Sequence, residues 1–193
     1  MITPLLAGLI LFGIGEGLLI ASHWGATPWT VFAQGLAHRL GVSIGWSTVA
    51  ISCVVLLAWW PLGERPGFGT LANLVIIAAA LDVTAAHVST PSSAGWRAVL
   101  MASGVVAIGI GSALYLTTGL GPGPRDGLMT SLHRRLHVSV VYVRLSLEVA
   151  VLVVGWLMGG VVGVGTAFFA ATIGFAIGTS LQALERLVRW SAR

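Results

Sequence analysis

A chain of 193 residues in which 56% are apolar and 8% are charged cannot cover a surface in water, because soluble domains carry about 25% charged residues. The mean hydropathy of +0.96 makes lipid the expected solvent. The ten basic residues are all Arg and give a net charge of +4; they flank apolar runs, as membrane helices require, so nucleic acid is not an expected partner.

Residues 4–21 form the first apolar run. No basic segment precedes it, so it is expected to stay as a span and not to be cleaved as a signal peptide. It carries Glu16 inside Gly13-Ile-Gly-Glu-Gly17. Pro28–Leu40 follows as a short helical pattern opened by Gly25-Ala-Thr-Pro28-Trp29-Thr30. Pro suits the first helical position, where its missing N–H has no partner anyway. The next apolar runs are 44–62, which holds the lone Cys53, and 70–88, which ends near Asp82. Runs 98–118, 138–158 and 161–184 complete six stretches of about 20 residues, the length that crosses a hydrocarbon core. Between the fourth and fifth, Gly121-Pro-Gly-Pro124-Arg125-Asp126 opens a second short helix, 124–136. The eight Trp lie mostly near span ends, Trp190 among them, as interface anchors do.

The second half repeats the first. At an offset of 96 positions, residues 8–80 show 21 identities without a gap. They fall on residues that shape backbone: Gly13-Ile-Gly15 with Gly109-Ile-Gly111, Gly25 and Pro28 with Gly121 and Pro124, Gly67-Phe-Gly-Thr70 with Gly163-Val-Gly-Thr166. Shared Leu and Val would follow from composition; shared Gly, Pro, Arg and Thr in one register indicate duplication. Thr70 and Thr166 are expected to cap the helices that follow. Repeats of this kind are a common transporter design.

The expected fold is therefore an all-α integral membrane protein, a single membrane domain over 1–193 with repeats near 1–90 and 97–186. With three spans per repeat the copies must be inverted. Both termini in the cytoplasm would place Arg65, Arg125, Arg134, Arg135, Arg144, Arg186, Arg189 and Arg193 inside, against Arg39 and Arg97 outside. If the short helices crossed as well, each repeat would have four spans and the copies would be parallel, with the same Arg count. At 1.5 Å per residue, 13 residues reach only about 20 Å, and these segments carry Gln34, His38, Arg39, His133, Arg134 and Arg135. Six spans is the preferred reading, with the short helices either re-entrant or interfacial. A re-entrant helix would aim its positive dipole end at a solute; an interfacial one would be a strut.

Ionisable groups inside spans are costly and are functional candidates. Glu16 and Glu148 are expected to share a cavity, with Arg144 one turn before Glu148 as its partner; Asp82 is a weaker candidate. The candidate solute or ion site is Glu16, Pro28, Trp29, Thr30, Asp82, Gly121, Pro124, Arg125, Asp126, Arg144 and Glu148. His133 and His137 have metal-ligand spacing but no third ligand, and no nucleotide, hydrolase or metalloprotease motif appears, so neither enzyme activity nor a cofactor is expected.

The motif Gly119-Leu-Gly-Pro-Gly-Pro-Arg-Asp-Gly-Leu128, its weaker copy at Gly25–Trp29, and Pro61-Leu-Gly-Glu-Arg-Pro-Gly-Phe-Gly-Thr70 resemble the YczE-type branch of the bacterial YitT/YczE membrane proteins across nearly the whole chain. The resemblance implies a multi-pass protein of the bacterial plasma membrane and assigns no functional residue; the lack of the soluble C-terminal domain that YitT relatives carry is a departure expected of this chain. Two functions follow as expectations: a small secondary transporter or exporter of an unassigned solute or ion, or a membrane scaffold supporting another membrane enzyme. The partners are the bilayer and that solute or ion, with self-association left open.

Overall fold

The computed structural model describes residues 1–191, with side chains through residue 187; the expectations for Arg189, Trp190 and Arg193 lie outside the described side chains. Eight α-helices follow one another: α1 (Ile2–Ser22), α2 (Pro28–Leu40), α3 (Ile44–Trp59, prolonged by a 3-10 turn to Leu62), α4 (Phe68–His87), α5 (Ala94–Leu116), α6 (Pro124–Leu136), α7 (Val140–Leu157) and α8 (Val164–Ser191). Six of them, all but α2 and α6, are long and apolar enough to cross a membrane, and each expected span falls on one of the six. The protein is a multi-pass all-helical membrane protein.

Local chemistry sets the helix ends. Pro28 and Pro124 open α2 and α6, as their sequence context requires. Thr27 caps α2 by accepting from the Thr30 amide at 3.2 Å, and Ser43 caps α3 by accepting from Trp46 N–H. Thr70 is not the cap residue expected of it. Gly67 holds that position, and Thr70 sits three residues further in and accepts from the Gly67 amide at 3.2 Å. Thr166 bonds the Gly163 amide in the same way. A threonine at the third position reaches back to the otherwise orphan amide, as the acid of a capping box does.

The repeat is visible as structure. The starts of α2 and α6, α3 and α7, and α4 and α8 each lie 96 positions apart. α1 and α5 form the central crossing, and their register runs antiparallel. Gly8 lies on the carbonyl of Gly111, and Gly15 on that of Gly104. A Cβ at Gly8 or Gly104 would come within 2.8 Å of the partner's oxygen, and one at Gly15 or Gly111 within 2.6 Å. Only glycine allows this approach, so four glycines set how closely the halves meet.

The two halves also exchange backbone bonds. Gly69 N–H donates to Leu120 O at 2.8 Å, and Gly165 N–H donates to Trp24 O at 2.6 Å; donors and acceptors are both repeat partners. The short helices are exchanged too: α2 packs on α7 and α6 on α3. The apolar core follows the same symmetry. One cluster joins Trp29, Ala33, Ile51, Val55, Trp59, Met129 and Val143 from α2, α3, α6 and α7. A second holds Leu19, Met101, Val105 and Ile173, and a third holds Tyr115, Leu5, Leu9 and Ile77, their repeat partners. In a bilayer such packing is driven by close van der Waals contact more than by water exclusion.

Candidate functional site

Where the halves meet, the bundle encloses a cavity of about 120 Å³, enough for several waters or one small solute. The starts of both short helices line it, through Thr27–Trp29 and Gly123–Asp126. Nine lining positions of the first repeat have their offset-96 partner in the lining as well, so the cavity sits on the pseudo-symmetry axis. Its chemistry is nonetheless asymmetric: Glu16 faces Ser112 across the axis, Trp29 faces Arg125, Thr48 faces Arg144, Ser52 faces Glu148, and Asn73 faces Phe169. The conserved register builds the walls, and the diverged positions furnish them.

Glu16 is fully buried, and its Oε1 lies 3.3 Å from Arg125 Nη1. The same oxygen accepts from the Thr27 hydroxyl at 3.3 Å. Thr27 has then spent its proton, so the Thr30 hydroxyl donates to it at 2.8 Å. Oε2 of Glu16 has no partner among the described residues, and neither does Trp29 Nε1. The Arg125 guanidinium also sits 5.2 Å from the centre of the Trp29 ring, a cation–π contact. Asp126, next in sequence, accepts from the Tyr115 hydroxyl at 2.6 Å, and Tyr115 meets the Phe12 ring edge-on at 6.3 Å. On α7, Arg144 pairs with Glu148 at 2.8 Å, as their spacing of four predicted.

Of the sequence candidates, Glu16, Pro28, Trp29, Pro124, Arg125, Asp126, Arg144 and Glu148 line the cavity. Thr30 stands one hydrogen bond behind the wall. Gly121 lies outside the lining, in the turn before α6, with φ +120° and against Thr70. Asp82 is elsewhere: its carboxylate accepts from Ser43 Oγ at 2.5 Å and from the Gly45 amide at 2.7 Å, so it holds the start of α3. Sequence reasoning passed over Tyr115, Asn73 and Phe12, which line the cavity without a charge to draw attention. A usable signal existed, since each differs from its repeat partner: Leu19, Phe169 and Ile108.

Comparison with known proteins gives a consistent picture. Residues 2–182 match a family model described as a family of unknown function, DUF6198. A Haemophilus influenzae protein described as uncharacterized is 46% identical over 186 residues, covering 96% of this chain and 85% of its own. The Bacillus subtilis protein described as uncharacterized membrane protein YczE is 31% identical over 187 residues, covering 96% and 87%, and the protein YyaS of the same organism is 24% identical over 183 residues, covering 93% and 91%. No solved structure matches.

Proposed function

We propose that this chain, which belongs to the DUF6198 family and is similar to the membrane protein YczE, is a small secondary transporter or exporter of the bacterial plasma membrane. One observation carries the reading: the charged cavity lies on the axis relating the two halves and is lined by repeat-partner positions. A site so placed can be reached from either side when the halves rock against each other, as in transporters built from repeats.

Two further features support inverted halves. The antiparallel Gly8–Gly111 and Gly15–Gly104 register puts the symmetry axis across the helices, so a spanning α1 implies a reversed α5. The 13-residue α2 and α6 are too short to cross, and each brings its first turn to the cavity; this favours re-entrant helices over struts lying in the headgroups. The Arg distribution favours both termini in the cytoplasm.

The test is flux. Purified protein in liposomes should move protons or a small solute, and Glu16→Gln and Glu148→Gln should each lower that flux by about tenfold or more, the scale of losing one charged partner of a bound ion. Unchanged flux in both variants would remove the cavity from the mechanism. Absence of any flux, together with a stable membrane partner on purification, would favour the scaffold. Accessibility labelling that found the residues near 39 and 135 on one side of the bilayer would end the inverted arrangement.

A further inference from the structure

The cavity has an odd charge count. Three carboxylates line it, Glu16, Asp126 and Glu148, against two guanidiniums, Arg125 and Arg144. The other titratable group in the lining is the Tyr115 phenol; α2, α3, α4 and α8 contribute none. Arg125 answers Glu16 and Arg144 answers Glu148. Asp126 has the Tyr115 hydroxyl, which fills a lone pair without cancelling a charge, and the partial positive end of α6, in whose first turn it sits, but no cationic side chain of its own. A second sign of shortfall is Oε2 of Glu16, fully buried in the same wall with no donor.

A net negative charge inside a helical bundle in lipid is expensive, because the low dielectric neither screens nor solvates it. One positive charge relieves it. Among the described residues no group of three or more His, Cys, Asp or Glu could hold a metal ion, and the wall beside Asp126 is the Tyr115 ring, itself packed edge-on against Phe12. An aromatic wall next to a carboxylate suits a cation that carries its own apolar body. The molecule already displays such a contact, in the guanidinium of Arg125 over Trp29. Asp126 is partly accessible, whereas Glu16 is sealed, so the incoming cation meets Asp126.

We infer that the cavity binds one small organic monocation of the protonated-amine class at Asp126, beside the Tyr115 ring. The ammonium pairs with the Asp126 carboxylate and supplies the positive charge that the two guanidiniums leave unmet; no covalent bond is made or broken. The inference rests on reading the cavity as the solute site and names its ligand class.

The experiment is calorimetric titration of the purified chain with benzylammonium chloride, benzyl alcohol and sodium benzoate. Benzylammonium should bind, and the alcohol and the benzoate should bind about tenfold more weakly or not at all. Asp126→Asn should weaken benzylammonium by about tenfold or more. Asp126→Glu, which restores a carboxylate at the same place, should recover most of the amine binding lost in Asp126→Asn; if Asp126→Asn is unstable, a folded Asp126→Glu that binds no amine would overturn the inference. Benzoate or the alcohol binding as well as the amine, no amine binding, or amine binding that ignores Asp126→Asn would each overturn the inference. Flux is measured separately: binding with no flux would sink the transporter and spare the site, and flux of another solute with no amine binding would do the reverse.

Discussion

The seam between α3 and α4 is closed, while its repeat partner between α7 and α8 is open. Gly45 of α3 lies directly on the Ala78 carbonyl and the Asp82 carboxylate of α4, and Asp82 takes two hydrogen bonds from the first turn of α3. In the second repeat those three positions are Val141, Gly174 and Gly178. The clip is gone, and both glycines of α8 face open space. α7 packs on α2 and α6, with no comparable contact to α8. Burial follows: 39% of the α3 span is inside the bundle against 11% of α7. Arg144, half-exposed on α7, marks the mouth this leaves beside the cavity. One scaffold thus appears twice, once shut and once ajar, and the two seams differ at these three contact positions. By the antiparallel α1–α5 register, the open seam lies at the end of the bundle that holds the N-terminus.

The largest effect should come from forcing the closed seam. Gly45→Leu places a side chain where a Cβ already comes within 2.6 Å of the Ala78 oxygen, and overpacking of this kind costs about 1–3 kcal/mol. Gly174→Leu, at the partner of Ala78, enters open space and should stay within about 0.5 kcal/mol of the parent. Thermal unfolding of both variants in one detergent compares them. Equal losses would mean that the two seams do not differ.

Next in size is the clip. Asp82→Ala leaves the Gly45 amide and the Ser43 hydroxyl without their acceptor, a loss of about 1–2 kcal/mol by analogy with removal of a helix cap. Transplanting the clip sharpens the comparison: Val141→Gly with Gly178→Asp rebuilds on α7 and α8 the groups that hold α3 and α4. The double variant should raise stability where Asp82→Ala lowers it, by up to about 1 kcal/mol, and should shield Arg144 from water-soluble arginine reagents. A double variant no more stable or protected than its parent would show that more than the clip separates the seams.

Much of this was legible in the residues, and the reason is physical. Gly, Pro and capping Thr are backbone instructions, so an offset that preserves Gly8/Gly104, Gly15/Gly111, Pro28/Pro124 and Thr70/Thr166 fixes crossings and helix starts in both halves. Charges in apolar runs are costly, so Glu16, Glu148 and Arg144 stood out and do line one cavity. Asp82 stood out for the same reason and proved to be a capping group; a carboxylate near a span end has two uses, and only the neighbouring helix decides between them. Tyr115 and Asn73 stayed hidden because uncharged polar residues are cheap in a helix bundle. The open seam was hidden as well, since Val141 and Gly178 are unremarkable until they are set against Gly45 and Asp82.

The smallest effect, and the one that turns a static difference into a motion, is a shift in population. If the closed seam shows what the open one can become, α7 should visit α8 as α3 sits on α4. In a Cys53→Ala background, which removes the native exposed thiol, Gly45→Cys with Ala78→Cys should cross-link nearly completely. The partner pair, Val141→Cys with Gly174→Cys, should cross-link in a minor fraction. Adding Asp82→Ala to that second pair loosens the first seam; if the halves exchange states, the minor fraction should rise severalfold, which corresponds to about 1 kcal/mol of population shift. No second-pair cross-link in either background would make the open seam a fixed portal. A cross-link that ignores Asp82 would leave α7 mobile but uncoupled, because two seams that alternate around one cavity must respond to each other.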